Sequence, residues 1–110
     1  MQEKRKRIYI SGPMTGLDPD VMKWNFTTAS MEASLLGYIP VNPAVISELP
    51  LETEEYMILD IELLGMCDAI YMLRGWENSN GANIELETAM QLGMRVLYQS
   101  EEMEREDNAD

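Results

Sequence analysis

Apolar and polar positions along this chain fall into blocks whose lengths and spacings read alternately as strand and helix. Arg7-Ile8-Tyr9-Ile10-Ser11 is a short β-rich run closed by Gly12-Pro13, a turn that ends it. From about Val21 to Leu36 the residues Val21, Trp24, Met31 and Leu35 recur at near-helical spacing, and Gly37 supplies a C-terminal stop. This predicts a helix that lays that row against a sheet. Tyr38-Ile39-Pro40-Val41 predicts a second strand, at or near an edge because Pro40 cannot donate to a ladder, and Asn42-Pro43 ends it. Thr53 is placed to cap a helix with Glu54 and Glu55 in its first turn, where the macrodipole favours negative charge, and with Met57, Ile61 and Leu64 on one face. After Gly65, Ala69-Ile70-Tyr71-Met72-Leu73 is a near-continuous apolar run of the kind buried on both sides in parallel sheets. A helix from Ala82 to Leu92, stopped by Gly93, and a strand at Arg95-Val96-Leu97-Tyr98 complete the pattern.

Strands alternating with helices imply right-handed crossovers and an α/β fold, a three-layer Rossmann-like parallel sheet of four to five strands flanked by helices. Residues 1–99 are expected to form one domain. From Ser100 onward Glu101, Glu102, Glu104, Glu106, Asp107 and Asp110 read as an acidic tail, residues 100–110, frayed and solvated. Ligands on such sheets bind beyond the carboxyl ends of the strands. Those ends carry Gly12-Pro13-Met14-Thr15-Gly16, Asn42-Pro43, and Gly75-Trp76 leading to Ser79-Asn80-Gly81, so three polar loops converge on one rim.

Composition removes several function classes. Eight Lys and Arg stand against 20 Asp and Glu, a formal charge of −12 that repels polynucleotide phosphates. The basic run Lys4-Arg5-Lys6-Arg7 is too short to reverse that field and reads as a solvated lead into the first strand. No nucleic-acid or membrane partner is expected, since no run approaches roughly 18 apolar residues. With no apolar leader at the N-terminus, the expected location is the cytoplasm. Cys67 is the only cysteine and histidine is absent, which removes an intrachain disulfide, a thiolate cluster and the commonest zinc ligand. No metal and no cofactor is expected, and acid–base chemistry falls to carboxylates, Tyr or Lys.

Glu85 is the residue on the rim that most needs an account. Read in the first turn of its helix, it gains from the positive dipole end, which keeps a carboxylate ionised and suits a nucleophile; an ordinary first-turn Glu fits the same position. The row Glu85, Ala89, Leu92 is expected to look inward, which turns Glu87 away. Asp60, between Leu59 and Ile61 in an apolar stretch, needs a partner or a task. Asp68 is suited to tying down a turn. Ser79 and Gly81 precede a helix and present a hydroxyl and N–H groups to an anion, and Thr15 fits either that role or plain turn chemistry. Trp76 could stack a base or cap the sheet edge, and the ten Met residues read as core filler.

Taken together, Tyr9-Ile10-Ser11-Gly12-Pro13-Met14-Thr15-Gly16, Asp60 with Asp68 eight residues on, and Ser79-Asn80-Gly81-Ala82-Asn83-Ile84-Glu85 with Ala89 resemble the nucleoside 2-deoxyribosyltransferase-like superfamily. The match is to its small branch with Tyr-x-x-Gly-Pro-Met-Thr-Gly and Gly-Trp-Glu-x-Ser-x-Gly-Ala, and runs from roughly Ile8 to Tyr98. The resemblance implies a flavodoxin-like sheet and a glutamate nucleophile that attacks C1′ of a nucleoside or nucleotide. By position that is Glu85, with Asp60 holding the sugar and Tyr9 contacting both sugar and glutamate. Ser79, six residues before Glu85, stands where the superfamily's nucleoside monophosphate N-glycosidases carry Ser and its free-nucleoside transferases carry Asp. The rim residues Gly12, Pro13, Met14, Thr15, Asn42, Trp76, Ser79 and Gly81 are then expected to bind substrate. The glycosidases' first-loop arginine is missing, since Gly12 to Asp18 holds no basic residue, and only Ser100 stands near the place of their partner-donated serine. A transferase on free nucleosides and a non-catalytic nucleotide-binding module are the alternatives. The resemblance also implies a homodimer or higher homo-oligomer, in which a neighbouring chain closes each sugar pocket. The helix from Thr53 to Gly65, with Met57, Ile58, Leu59, Ile61, Leu63 and Leu64, carries more apolar surface than one sheet contact needs.

Overall fold

In the computed structural model, which describes residues 5–107, strands β1 (Arg7–Ser11), β2 (Ile39–Val41), β3 (Ala69–Met72) and β4 (Arg95–Tyr98) pair in parallel in the order β2-β1-β3-β4. The registers Tyr9↔Val41, Ser11↔Met72 and Met72↔Tyr98 bring the carboxyl ends of all four to one rim. Chain order reverses between β1 and β3, so these two strands flank the switch point at which such sheets bind ligands. Both are buried on both faces, β1 from Ile8 onward, as their apolar runs require. Pro40 sits on the edge strand, where its missing donor costs nothing.

Helices α1 (Pro19–Leu35), α2 (Thr53–Gly65), α3 (Asn80–Gln91) and α4 (Gln99–Asp107) follow β1, β2, β3 and β4. Two apolar layers result. Ile8, Ile10, Tyr71 and Leu97 pack with Met22, Phe26, Ala29 and Ala33 of α1 on one side. Tyr9, Ile70 and Met72 pack with Leu64 of α2 and Ala82, Leu86 and Ala89 of α3 on the other. Asp68 ties the layers' shared edge, accepting from the Arg7 backbone N–H at 2.9 Å. Among the described residues no helix is long and apolar enough to cross a membrane.

Five expectations change. The row Val21, Trp24, Met31, Leu35 faces outward and the neighbouring row Met22, Phe26, Ala29, Ala33 faces the sheet; two of the inward residues are alanines, which permit close helix-to-sheet approach but carry little apolar signal. Glu52, not Thr53, caps α2, and its backbone N–H donates to Glu55 at 2.9 Å. α3 starts two residues earlier than expected, because Ser79 caps it by accepting from the Ala82 N–H at 3.2 Å. Leu92, at its end, is exposed rather than inward. The acidic segment is helical through Asp107 instead of frayed. Gln99 anchors it, accepting from the Arg74 N–H at 2.9 Å and donating to Glu32 at 2.8 Å, and Glu102 is buried. Residues 1–4 and 108–110, with the first part of the basic run and the last acid of the tail, lie outside the described residues.

Candidate active site

Three side chains meet at the carboxyl end of β1, beside the switch point. Tyr9 and Ser11 are two residues apart on one strand, so the pleat sends both to the same face, toward α3. Glu85 rises from α3 to meet them. The Tyr9 hydroxyl donates to Glu85 Oε2 at 2.6 Å, and the Ser11 hydroxyl donates to Glu85 Oε1 at 2.7 Å. All three are buried, Glu85 to 5% exposure. Asp60, on the inner face of α2 four residues before the buried Leu64, is 9% exposed and close enough for its charge to act on both Glu85 and Tyr9.

Burial without a basic partner sets the electrostatics. It pushes Glu85 up to about 7, opposed by the Ser11 and Tyr9 hydroxyls and reinforced by the Asp60 charge. Burial alone pushes Asp60 up to about 6, with no donor to oppose it. The Tyr9 hydroxyl moves far above its usual range, first through burial and then through Glu85 and Asp60, so it stays a donor. The helix dipole plays a smaller part than the sequence suggested. With α3 starting at Asn80, Glu85 lies in the second turn, where the dipole has faded. Two hydroxyls therefore offset part of the burial penalty on the Glu85 charge and fix its orientation. Each carboxylate oxygen accepts one bond and retains a lone pair, enough to attack an electrophilic carbon.

The remaining expected residues divide. Gly12 is buried directly after Ser11, and a Cβ there would lie 2.7 Å from Leu73 Cβ, so only glycine lets the ends of β1 and β3 close together. Pro13 follows, half-buried. Met14 packs on the α1 side, away from Glu85, and Thr15 is exposed in the turn. Asn42 accepts from the Ala44 N–H at 2.9 Å as a local cap. Trp76 packs against Tyr98 with ring centroids 5.8 Å apart, on the same side of the sheet as Glu85. Ser79 spends one lone pair on the α3 cap and keeps its proton to donate; Gly81 lies beside Met57 of α2. Glu87 is exposed, as its helix face required.

Ser11 is the site residue that sequence reasoning passed over. The period of two that put Tyr9 on a face puts Ser11 on it as well, and a lone hydroxyl ending a buried apolar strand was the available signal. A cleft of about 320 Å³ lies at the opposite end of the sheet, between Lys6, Tyr38, Asp68 and Arg95.

By its likeness to a solved structure, the fold of this chain is nucleoside 2-deoxyribosyltransferase-like. It is similar to a solved structure described as 2-desoxiribosyltransferase from Leishmania mexicana, with a TM-score of 0.65 and 25% identity over 84% of this chain and 63% of that one. This chain thus spans less than two-thirds of that protein's length. The chain belongs to the family described as Domain of unknown function (DUF4406), which matches residues 6–98. No curated protein matches it.

Proposed function

We propose that this chain cleaves the N-glycosidic bond of a nucleoside 5′-monophosphate, with Glu85 as nucleophile. The observation that carries the reading is the buried Glu85 carboxylate held on both oxygens by Tyr9 and Ser11. In the first step a Glu85 oxygen bonds to C1′ while the C1′–N bond breaks, its electron pair leaving with the base, which takes up a proton. In the second, water attacks C1′, the bond to Glu85 breaks, and the water's proton leaves through a carboxylate. Asp60 is the group suited to both duties near neutral pH: it holds a sugar hydroxyl and, with its pKa raised to about 6, exchanges a proton. A second chain closes the sugar pocket.

The Ser79 hydroxyl and the first N–H groups of α3 support the monophosphate, because an uncharged donor at a helix N-terminus attracts the phosphate that an Asp there would repel. The likeness to a 2-desoxiribosyltransferase favours a second reading, transfer of deoxyribose between free bases. Incubation with a panel of nucleosides and 5′-monophosphates, with and without a second base, separates them. Free base from monophosphates alone is the expected result; exchange of bases on unphosphorylated nucleosides supports the transferase, and no base release from any substrate rejects both. Nucleoside monophosphates are also expected to raise the melting temperature more than their nucleosides, and Ser79→Asp to abolish that difference.

A further inference from the structure

The basic run that leads into β1 is anchored rather than merely solvated. The Ile39 N–H donates to the Lys6 carbonyl at 2.9 Å, and the Arg5 guanidinium donates to the Tyr38 carbonyl at 3.1 Å. Arg95, which opens β4, donates from Nη1 to the Tyr38 hydroxyl at 3.3 Å. Tyr38 thus gathers two guanidinium groups beside Lys6 at the end of the sheet remote from Glu85. The cleft of about 320 Å³ lies there, bordered among others by Lys6, Leu36, Gly37, Tyr38 and Arg95. No atom comes within 4 Å of the place a Gly37 Cβ would take, so the space beside Tyr38 is open.

Charge gives the cleft its character. With 20 acids against eight bases, most cations of this chain could find a carboxylate, yet the one ion pair among the described residues joins Lys23 to Glu48. Arg5, Lys6 and Arg95 are exposed and have no carboxylate partner among the described residues. The contacts that Arg5 and Arg95 make to Tyr38 are to neutral oxygens, which leave the positive charge uncompensated. Two acids also border the cleft. Asp68 accepts from the Arg7 N–H at 2.9 Å, and its charge acts together with that of Arg7 on Cys67, in the layer of α2 and α3. Glu102 is buried to 8% exposure and engaged, its charge acting on Tyr71. The uncommitted charges at the cleft are the Lys6 ammonium and the Arg95 guanidinium.

We propose that this cleft binds a small phosphomonoester, its phosphate held by Lys6 and Arg95 and its organic part laid against Leu36, Gly37 and Tyr38. A phosphate dianion offers three oxygens, enough for an ammonium, a guanidinium fork and the Tyr38 hydroxyl, which keeps a proton to donate while it accepts from Arg95. A monocarboxylate offers two and is filled by the fork alone. The volume exceeds that of a bare phosphate and falls at the small end of ligand sites, which run from about 300 to 1,000 Å³. A net charge of −12 turns away long polyanions, so the ligand is a small molecule. The phosphate contact proposed at Ser79 belongs to the other end of the sheet, and the two readings stand or fall independently.

Amide chemical shifts of the isotope-labelled whole chain at low salt test it, with phenyl phosphate, inorganic phosphate and benzoate as probes. Phenyl phosphate is expected to give saturable shifts at Lys6, Gly37, Tyr38 and Arg95, inorganic phosphate weaker ones at the same residues, and benzoate none. Lys6→Ala and Arg95→Ala are each expected to weaken phenyl phosphate binding about 10-fold or more, the value of a hydrogen bond to a charge, with circular dichroism unchanged because both side chains are exposed. Lys23→Ala removes the same charge from α1 and is expected to leave that affinity unaltered, since exposed charges at a distance are screened. Phenyl phosphate shifts confined to Ser79 and its neighbours, or no saturable shift at all, overturn the proposal. Equal saturation by benzoate, or full affinity in both Lys6→Ala and Arg95→Ala, overturns it as well.

Discussion

The two faces of the sheet solve the same packing problem with different chemistry. On the α1 face the strand residues Ile8, Ile10 and Tyr71 meet Met22, Phe26, Ala29 and Ala33, and the one polar side chain drawn to that side of β3, Tyr71, sends its hydroxyl outward to Glu32. On the α2 and α3 face the equivalent strand positions carry Tyr9 and Ser11, and the helices answer with Asp60 and Glu85. A core can satisfy its polar groups at the periphery or at its centre. Placing two carboxylates at the centre with no cation among the described partners raises both of their pKa values, which costs stability and leaves a reactive group. One face keeps its core apolar, and the other buries two carboxylates within it.

That division is broken most severely by Glu85→Gln. It is expected to lower base release by more than roughly 10³-fold, because the amide keeps the shape and loses the nucleophile. The same variant is expected to be more stable than wild type at pH 8. Folded Glu85 keeps its proton up to about 7, while unfolded it releases it near 4.5. Between those values the folded state binds more protons, so this group's contribution to stability falls as pH rises and is lost above 7. Melting temperatures should show the gain of Glu85→Gln at pH 8, worth about 3 kcal/mol at most, and little of it at pH 5.

Phe26→Ala, on the other face, is expected to invert the pattern: a loss of about 3–5 kcal/mol in denaturant unfolding, with the pH profile of base release unchanged. Tyr9→Phe sharpens the contrast within the site. Removing a hydroxyl that favours the charged form raises the Glu85 pKa, so the rising limb of the pH–rate profile should move above 7 and the rate at pH 7 fall about 10- to 100-fold, the value of one hydrogen bond to a charge. Glu87→Gln, two residues from Glu85 on the exposed side of α3, should leave both rate and melting temperature within error.

Sequence pattern carried the sheet nearly intact, since β1 and β4 lie where their apolar runs begin and end, and β3 differs by one residue. Runs buried on both sides leave little room for misreading. Helix faces were less legible. α1 presents two apolar rows, and the one with the larger side chains, Trp24, Met31 and Leu35, is the exposed one; the buried row hides behind Ala29 and Ala33, whose fit depends on how closely the helix approaches. Of the site, Asp60 and Glu85 were legible as residues that needed a reason and Tyr9 through the family resemblance alone, and the structure brings the three together. What sets the Glu85 charge was not, because it turns on where Ser79 starts α3, and a two-residue shift there moves Glu85 out of the first turn and leaves a pair of hydroxyls in place of the helix dipole. The helical α4 was concealed by its acidity, for its anchor is Gln99 and its register with Arg74 and Glu32 is purely tertiary.

Glu85 bonds to Tyr9 and Ser11 across 76 and 74 residues of chain. Loop closure of that span must precede the bonds, and its entropic cost makes them late contacts by expectation. The Glu85 cluster is thus expected to assemble late in folding. In a refolding experiment the helical signal should return first, and the power to break a glycosidic bond only with the slowest phase, which makes turnover a clock for the completion of folding.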